Sequence, residues 1–509
     1  MKVGAAFGRR ARYTLPGAAF AVAFACLSFT PSLLPRSAVV QGIITGINAA
    51  IGYALGLVLA WLWREFADRD ARESRPRSWL IFTVVSVVAG VSAVVAGQVW
   101  QHRIRDLMGM EQERLLHVWV IPVLAFVLFF CLIEIARGVR WCHRRVSALL
   151  GRVMGDRAAR AAGFAVLSAV VILLVTGVLW NAVRSAADQA FALSDLTTPG
   201  SAEKPVNGLR SGGPGSLIHW DDLGRQGRSF VGRGPDAAAI GDFTGEDASE
   251  PIRIFAGTAT DADVEERAAI AVRDLERAGG FDRENLLVVT TTGSGFVEPS
   301  AVNSFEYLTG GDSATVGMQY SHFPSWLSYL VDQQEARDAG RALFDAVYAH
   351  WAGLERDDRP DLYVFGESLG SFGGETAFSG EFDIANRTDG ALFVGPPSFN
   401  ELYREFVDHR ASPSPEIEPV YRKGRIVRFS TEPDRQIKPA DEPWTGTRVL
   451  YLQQPSDPIV WWNTDLLLQR PDWLEESRGS DVLDSMRWIP FVTFWQVTAD
   501  LPLSTEVPP

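Results

Sequence analysis

The chain has 509 residues, 47% of them hydrophobic, and a formal net charge of −13 that is unevenly spread: 20 basic and 9 acidic residues lie up to Val183, against 28 and 52 from Arg184 onward. A second part so acidic lacks the clustered Lys and Arg that a phosphate backbone requires, which excludes nucleic acid as a partner. Cys26, Cys131 and Cys142 all precede that part, so it holds no disulfide framework and no Cys-based metal site, and no metal or cofactor is expected.

The chain opens on Lys2, Arg9, Arg10 and Arg12, followed by an apolar run from Thr14 to Leu34. That run is long and closes on no small-x-small cleavage site, so it reads as a retained helix rather than a cleaved signal. Four more runs follow, Ala38 to Trp63, Trp79 to Trp100, Val118 to Ile135 and Gly163 to Val183, each meeting the roughly 18-residue minimum for crossing a bilayer. The N-terminus, the second loop and the fourth loop carry 16 basic residues, whereas the first and third loops carry four, Arg36, Arg103, Arg105 and Arg114. The positive-inside rule then puts the N-terminus in the cytoplasm, and five spans carry everything after Val183 out of it. Glu134, at the end of the fourth run, reads as a side chain snorkelling to the interface beside Arg137. The expectation is a multi-pass protein of the cell membrane over residues 1–183, with the lipid bilayer as its partner.

Residues 184–251 shift to Gly, Ser, Pro and Asp, most visibly in Ser211-Gly-Gly-Pro-Gly215, and read as a linker or entry segment. From Ile252 strands alternate with helices: strand Ile252 to Ala256, helix Asp261 to Ala278, and strands Leu286 to Thr291 and Thr315 to Tyr320. A helical region from Trp326 to Leu354 comes next, then strands Leu362 to Phe365, Ala391 to Val394, Arg425 to Phe429 and Arg448 to Leu452. Such alternation predicts an α/β domain with a mostly parallel sheet over 252–509.

The strand Leu362 to Phe365 runs into Gly366-Glu-Ser-Leu-Gly370 and a helix start. A strand, a Gly-x-Ser-x-Gly turn and a helix form a nucleophile elbow, which would present the Ser368 hydroxyl above the sheet edge and the Leu369 N–H as an oxyanion donor. The alternative is a chance recurrence of three common residues. A hydrolase on such a sheet needs further parts. Thr291-Thr-Gly-Ser-Gly295 follows an earlier strand, so Gly293, Ser294 and Gly295 are candidates for a second oxyanion donor, or form an ordinary Gly-rich turn. Asp457, directly after the last strand, is the candidate acid, or an Asp-Pro turn residue. The base is the difficulty. The histidines are His102, His117, His143, His219, His322, His350 and His409, and none follows Asp457. His322 and His409 serve only if the base precedes the acid, and without a base Ser368 is a poor nucleophile.

Taken together, these stretches resemble a bacterial, actinobacterial-type family of multi-pass membrane α/β-hydrolases. The resemblance rests on Leu27-Ser-Phe-Thr-Pro-Ser-Leu-Leu-Pro-Arg36, Gln41-Gly42 and Ile51-Gly-Tyr53 in the helical part, and on Trp220-Asp-Asp-Leu-Gly-Arg-Gln-Gly-Arg228 and Gly234-Pro235 before the sheet. In the domain it takes in Thr292-Gly-Ser-Gly295, Pro324-Ser-Trp-Leu327, Gly366–Gly370, Ser456-Asp-Pro458, Trp461-Trp462 and Pro471-Asp-Trp-Leu474. It implies a serine-hydrolase site without naming a substrate. Relatives similar over Phe491–Leu501 and Val507-Pro-Pro509 run on into a Gly/His-containing tail, so this chain is expected to stop short of a triad histidine.

Two functions follow. One is a membrane-anchored serine hydrolase acting on a small-molecule or lipid ester or thioester, with Trp461, Trp462, Trp473, Trp488, Phe491, Phe494 and Trp495 lining an apolar pocket or lying against the bilayer. The other is a catalytically inactive, hydrolase-like membrane protein that binds a partner or lipid.

Overall fold

The computed structural model describes residues 13–68, 75–112, 118–173, 177, 180–331, 333–431 and 442–504. Lys2, Arg9, Arg10, Arg12, Arg69, Arg72, Arg114, His117, most of 174–179 and Val507-Pro-Pro509 lie outside the described residues. Contacts group residues 1–181 with 462–509 in one unit and 182–461 in another.

In the helical unit, α1 (Leu15–Leu27) is capped by the Thr14 hydroxyl, which accepts from the Gly17 N–H. Its 13 residues rise only about 20 Å, short of the ~30 Å hydrocarbon core. The run expected to continue to Leu34 stops as helix at Leu27, ahead of Pro31 and Pro35, which have no N–H to continue a ladder. Next come α2 (Ala38–Phe66), capped by Ser37, then α3 (Pro76–Leu107) and α4 (Val120–Leu150). These three are the described helices long and apolar enough to cross a membrane. The fifth expected span is represented by α5 (Asp156–Ile172), and the rest of that run reaches beyond the described residues. Among the described residues, three of the five expected spans are thus helices long and apolar enough to cross a membrane.

α1 lies directly on α2: a Cβ on Gly52 would stand 2.4 Å from the Phe20 carbonyl oxygen, and one on Gly56 2.7 Å from that of Pro16. Glycine is what lets two membrane-type helices touch backbones. The polar side chains face inward. Ser28 Oγ meets Thr45 Oγ1 at 2.8 Å, and Gln41 Nε2 donates to the Ser28 carbonyl at 3.1 Å.

The sheet unit begins with α6 (Trp180–Asp195), α7 (Gly224–Arg233) and α8 (Ala237–Thr244). The stretch read as a linker or entry segment is folded and joins the sheet. Arg210 forms a bridge with Arg253, and its guanidinium donates to the carbonyls of Val231, Gly234 and Pro235. Then follow β1 (Ile252–Ala256), α9 (Val264–Arg277), β2 (Asn285–Thr290), α10 (Pro299–Leu308), β3 (Ser313–Met318), α11 (Ser325–Val331), α12 (Gln333–Gly353), β4 (Asp361–Glu367) and α13 (Leu369–Glu375). The unit closes with α14 (Glu381–Arg387), β5 (Gly390–Val394), α15 (Glu401–Asp408), β6 (Val427–Ser430), β7 (Arg448–Leu452) and α16 (Pro458–Trp461).

The described strands form one seven-stranded sheet, all parallel, in the order β1-β3-β2-β4-β5-β7-β6. Continuous apolar runs such as Leu286–Val289 suit strands buried on both faces. Register aligns Met318 with Thr290, Thr290 with Gly366, and Val394 with Leu452, so the carboxyl ends of the strands make one edge. In sheets of this kind, ligands bind outside that edge.

Residues 462–509, expected as the end of the sheet domain, join the helical unit. The last helix, α17 (Val492–Asp500), reaches the loop after α1: Gln496 Nε2 donates to the carbonyls of Ser28 and Thr30, and Asp500 takes Ser32 Oγ and Arg36 Nε. The aromatic residues there are mostly packing groups. Trp473 is buried, Trp462 Nε1 donates to Thr498 Oγ1, and Trp488 Nε1 donates to the Leu466 carbonyl.

Candidate active site

β4 delivers Ser368 to the sheet edge, and α13 starts on the next residue. Ser368 sits at φ 52°, ψ −125°, a left-handed conformation that a non-glycine residue holds only when its surroundings impose it. The imposing contacts are close. A Cβ on Gly366 would stand 2.3 Å from the Gly370 carbonyl oxygen, and one on Gly370 2.2 Å from that of Thr290. The turn is therefore the elbow that the Gly-x-Ser-x-Gly spacing predicts. The Ser368 hydroxyl is buried and has no hydrogen-bond partner among the described residues. Leu369 opens the helix, where no preceding turn supplies an acceptor for its N–H.

A chain of buried polar groups fixes the elbow from behind. Ser371 Oγ donates to the Ser368 carbonyl at 2.7 Å, and Asn400 Nδ2 reaches Ser371 Oγ at 3.2 Å and Glu375 Oε1 at 2.8 Å. Glu375 also accepts from the Tyr451 hydroxyl and from the N–H groups of Leu402 and Tyr403. Burial pushes its carboxyl up to about 7 despite these donors. Sequence reading missed this network because Glu375, Asn400 and Tyr451 are far apart in the chain and belong to no motif.

β7 brings Asp457 to the same edge, beside the end of β5. The Ser368 N–H donates to the Val394 carbonyl at 2.8 Å, and a Cβ on the next residue, Gly395, would lie 2.8 Å from Asp457 Oδ2. Asp457 Oδ1 accepts from the Ile459 N–H at 2.9 Å. Glu367, the residue before the serine, was also missed. Burial, then the nearby carboxylates of Glu298 and Asp457, push its carboxyl up to about 7. Its Oε2 is buried without a partner. The residue before the serine in the Gly-x-Ser-x-Gly motif is thus an acid that keeps its proton up to about pH 7.

The loop after β2 adjoins the elbow through Thr290. The Gly295 N–H donates to the Thr292 carbonyl at 2.9 Å, so that donor is spent inside the loop, and the Gly293 carbonyl accepts from the Ser321 N–H at 3.1 Å. Among the described residues, the N–H groups of Gly293 and Ser294 donate to no backbone carbonyl.

The two histidines singled out lie elsewhere. His409 is exposed at the end of α15, with Nδ1 2.8 Å from the Glu405 carbonyl. His322, past β3, places Nδ1 3.2 Å from Asp195 Oδ2 and Nε2 3.5 Å from Thr258 Oγ1. Although burial pushes its carboxyl up, bonds from His322, the Arg225 N–H and Gln319 hold Asp195 below its ordinary value. This pair faces a cleft of about 580 Å³ that Leu193, Leu196, Asp221 and Asp222 also line. The structure thus brings Ser368, Leu369 and Asp457 together and leaves His322 and His409 bonded to other groups. Among the described residues, no group of three or more His, Cys, Asp or Glu side chains is placed to hold a metal ion.

A family model described as the alpha/beta-hydrolase family matches residues 252–509, and a model of that family's N-terminus matches residues 29–235. No curated protein and no solved structure matches this chain.

Proposed function

Because the chain belongs to the alpha/beta-hydrolase family, we propose that it is a membrane-anchored serine hydrolase that takes an ester or thioester, of lipid type, through an acyl-enzyme on Ser368. The observation that carries this reading is the strained Ser368, its hydroxyl free at the N-terminus of α13. Oγ attacks the acyl carbon, the Leu369 N–H and a donor from Gly293 or Ser294 receive the oxyanion, and the bond to the leaving alcohol or thiol breaks as that group takes the proton that Oγ loses. Water then releases the acid. Asp457 serves as the carboxylate of the relay. The three apolar helices support the anchoring, and the uneven arginine distribution supports a cell-membrane location with the sheet unit outside the cytoplasm.

One observation favours a second reading, a hydrolase-like protein that binds without turnover: the Ser368 hydroxyl touches no base among the described residues. A fluorophosphonate probe applied to the full-length protein separates the two. Labelling of wild type that disappears in Ser368→Ala upholds the hydrolase, whereas correctly folded wild type that stays unlabelled sinks it.

A further inference from the structure

We propose that the helical unit contains an oxyanion-binding pocket built on Arg36, which takes the carboxylate or phosphate head of an amphiphile. Arg36 lies between α1 and α2 and is one of only four basic residues in the first and third loops. A lone arginine near a membrane surface ordinarily extends its head group into water. Arg36 does the opposite, with none of its side chain exposed.

Its guanidinium is incompletely used. Nε donates to Asp500 Oδ1 at 2.8 Å and Nη1 to Gln41 Oε1 at 3.5 Å, while Nη2 is buried with no partner among the described residues. Guanidinium nitrogens are donors only, so whatever completes Nη2 must be an acceptor, and a charged acceptor makes the stronger bond. Asp500 does not complete it: its oxygens take Ser32 Oγ, the Leu34 N–H and Arg36 Nε.

Arg36 lines a pocket with room of about 20 Å³. A single water needs about 10–15 Å³, so the space takes little more than one oxygen of a head group. Gln41, Gln101, His102 and Arg105 share its polar side, and no carboxylate is among the described residues lining it. Arg105 Nη2 donates to the Arg36 carbonyl at 3.3 Å, which brings a second guanidinium to the same wall. Phe29, Ala38, Val118 and Ile121 add an apolar part to the lining. Donors and cations beside an apolar lining match an anionic head on an apolar chain. The pocket is independent of Ser368 and stands whether or not the serine reacts.

The test uses full-length protein in a nonionic detergent and radiolabelled dodecanoate. Wild type is expected to bind it saturably at one site per chain, with dodecanol failing to compete. Arg36→Lys keeps a cation for Asp500 but loses Nη2, and Ala38→Leu fills the pocket while leaving the Arg36–Asp500 pair intact. Each is expected to bind at least tenfold more weakly. Should Arg36→Lys fail to fold, Ala38→Leu decides alone. Competition by inorganic phosphate or acetate identifies a free oxyanion as sufficient, and its absence identifies the chain-borne head group; both outcomes uphold the pocket. No saturable binding by wild type, equal competition by dodecanol, or unchanged binding by the folded variants overturns it.

Discussion

The two units expose opposite kinds of side chain. In the sheet unit Val288, Val316, Leu362, Val364 and Phe393 are buried, and charged pairs such as Arg273–Glu266 stand half exposed. In the helical unit Leu80, Ile81, Val84, Val88, Val91 and Val95 of α3 are 57–67% exposed, and the interior holds Arg36, Gln41, Thr45, Asn48 and Asp500. The contrast is what two different solvents select. Water rewards apolar burial, whereas hydrocarbon gives no such reward and leaves helices to associate through close backbone contact and inward polar bonds. Buried polar contacts fasten both units, but only the helical unit turns a long apolar face outward.

The sharpest way to break that contrast is Asp500→Ala. It strands the fully buried Arg36 guanidinium and should cost the helical unit about 3–5 kcal/mol, read as a large drop in unfolding temperature in detergent; a change below about 1 kcal/mol would mean the pair fastens nothing. Next comes Gly370→Ala, whose Cβ would lie 2.2 Å from the Thr290 carbonyl oxygen. It should destabilise the sheet unit by about 1–3 kcal/mol and also lower probe labelling at Ser368, which a purely global effect would not do at temperatures where the variant stays folded.

The third prediction concerns pH. Burial raises Glu375 to about 7 from its ordinary 4.5, so the folded state binds more protons than the unfolded state between those values. Stability from this group is then fully present below about 4.5 and is lost as pH rises through about 7; Glu367 acts in the same sense. The unfolding temperature should fall between pH 5 and pH 8, and Glu375→Gln should flatten part of that fall. An equally steep fall in Glu375→Gln would count against Glu375 as its source. The smallest effect belongs to Arg273→Ala, which removes a pair with side chains 52% and 51% exposed and should change stability by less than about 1 kcal/mol, if measurably at all.

How much of this was legible depended on whether the cause was local. The seven strands and the Ser368 elbow were readable because apolar runs and glycine spacing act within a few residues. Helix α1 was read too long because hydropathy continued through Thr30-Pro31-Ser-Leu-Leu-Pro35 after the backbone had stopped being helical. Residues 184–251 read as a linker because polar and glycine-rich composition hid specific contacts. Arg210 meets Glu250 40 positions later, and Asp195 meets His322 across 127. Nothing near Glu375 announces Asn400 or Tyr451. The placement of 462–509 was least accessible, since it turns on single residues such as Gln496 and Asp500 recognising the loop after α1.

That last contact carries a consequence for synthesis. Arg36 leaves the ribosome 464 residues ahead of Asp500, which at about 5–20 residues per second is roughly half a minute to a minute and a half. Throughout that interval the first helices hold an uncompensated cation while the whole sheet unit is being made. Closure of the helical unit around this pair is therefore a late event, which waits until translation has passed Asp500.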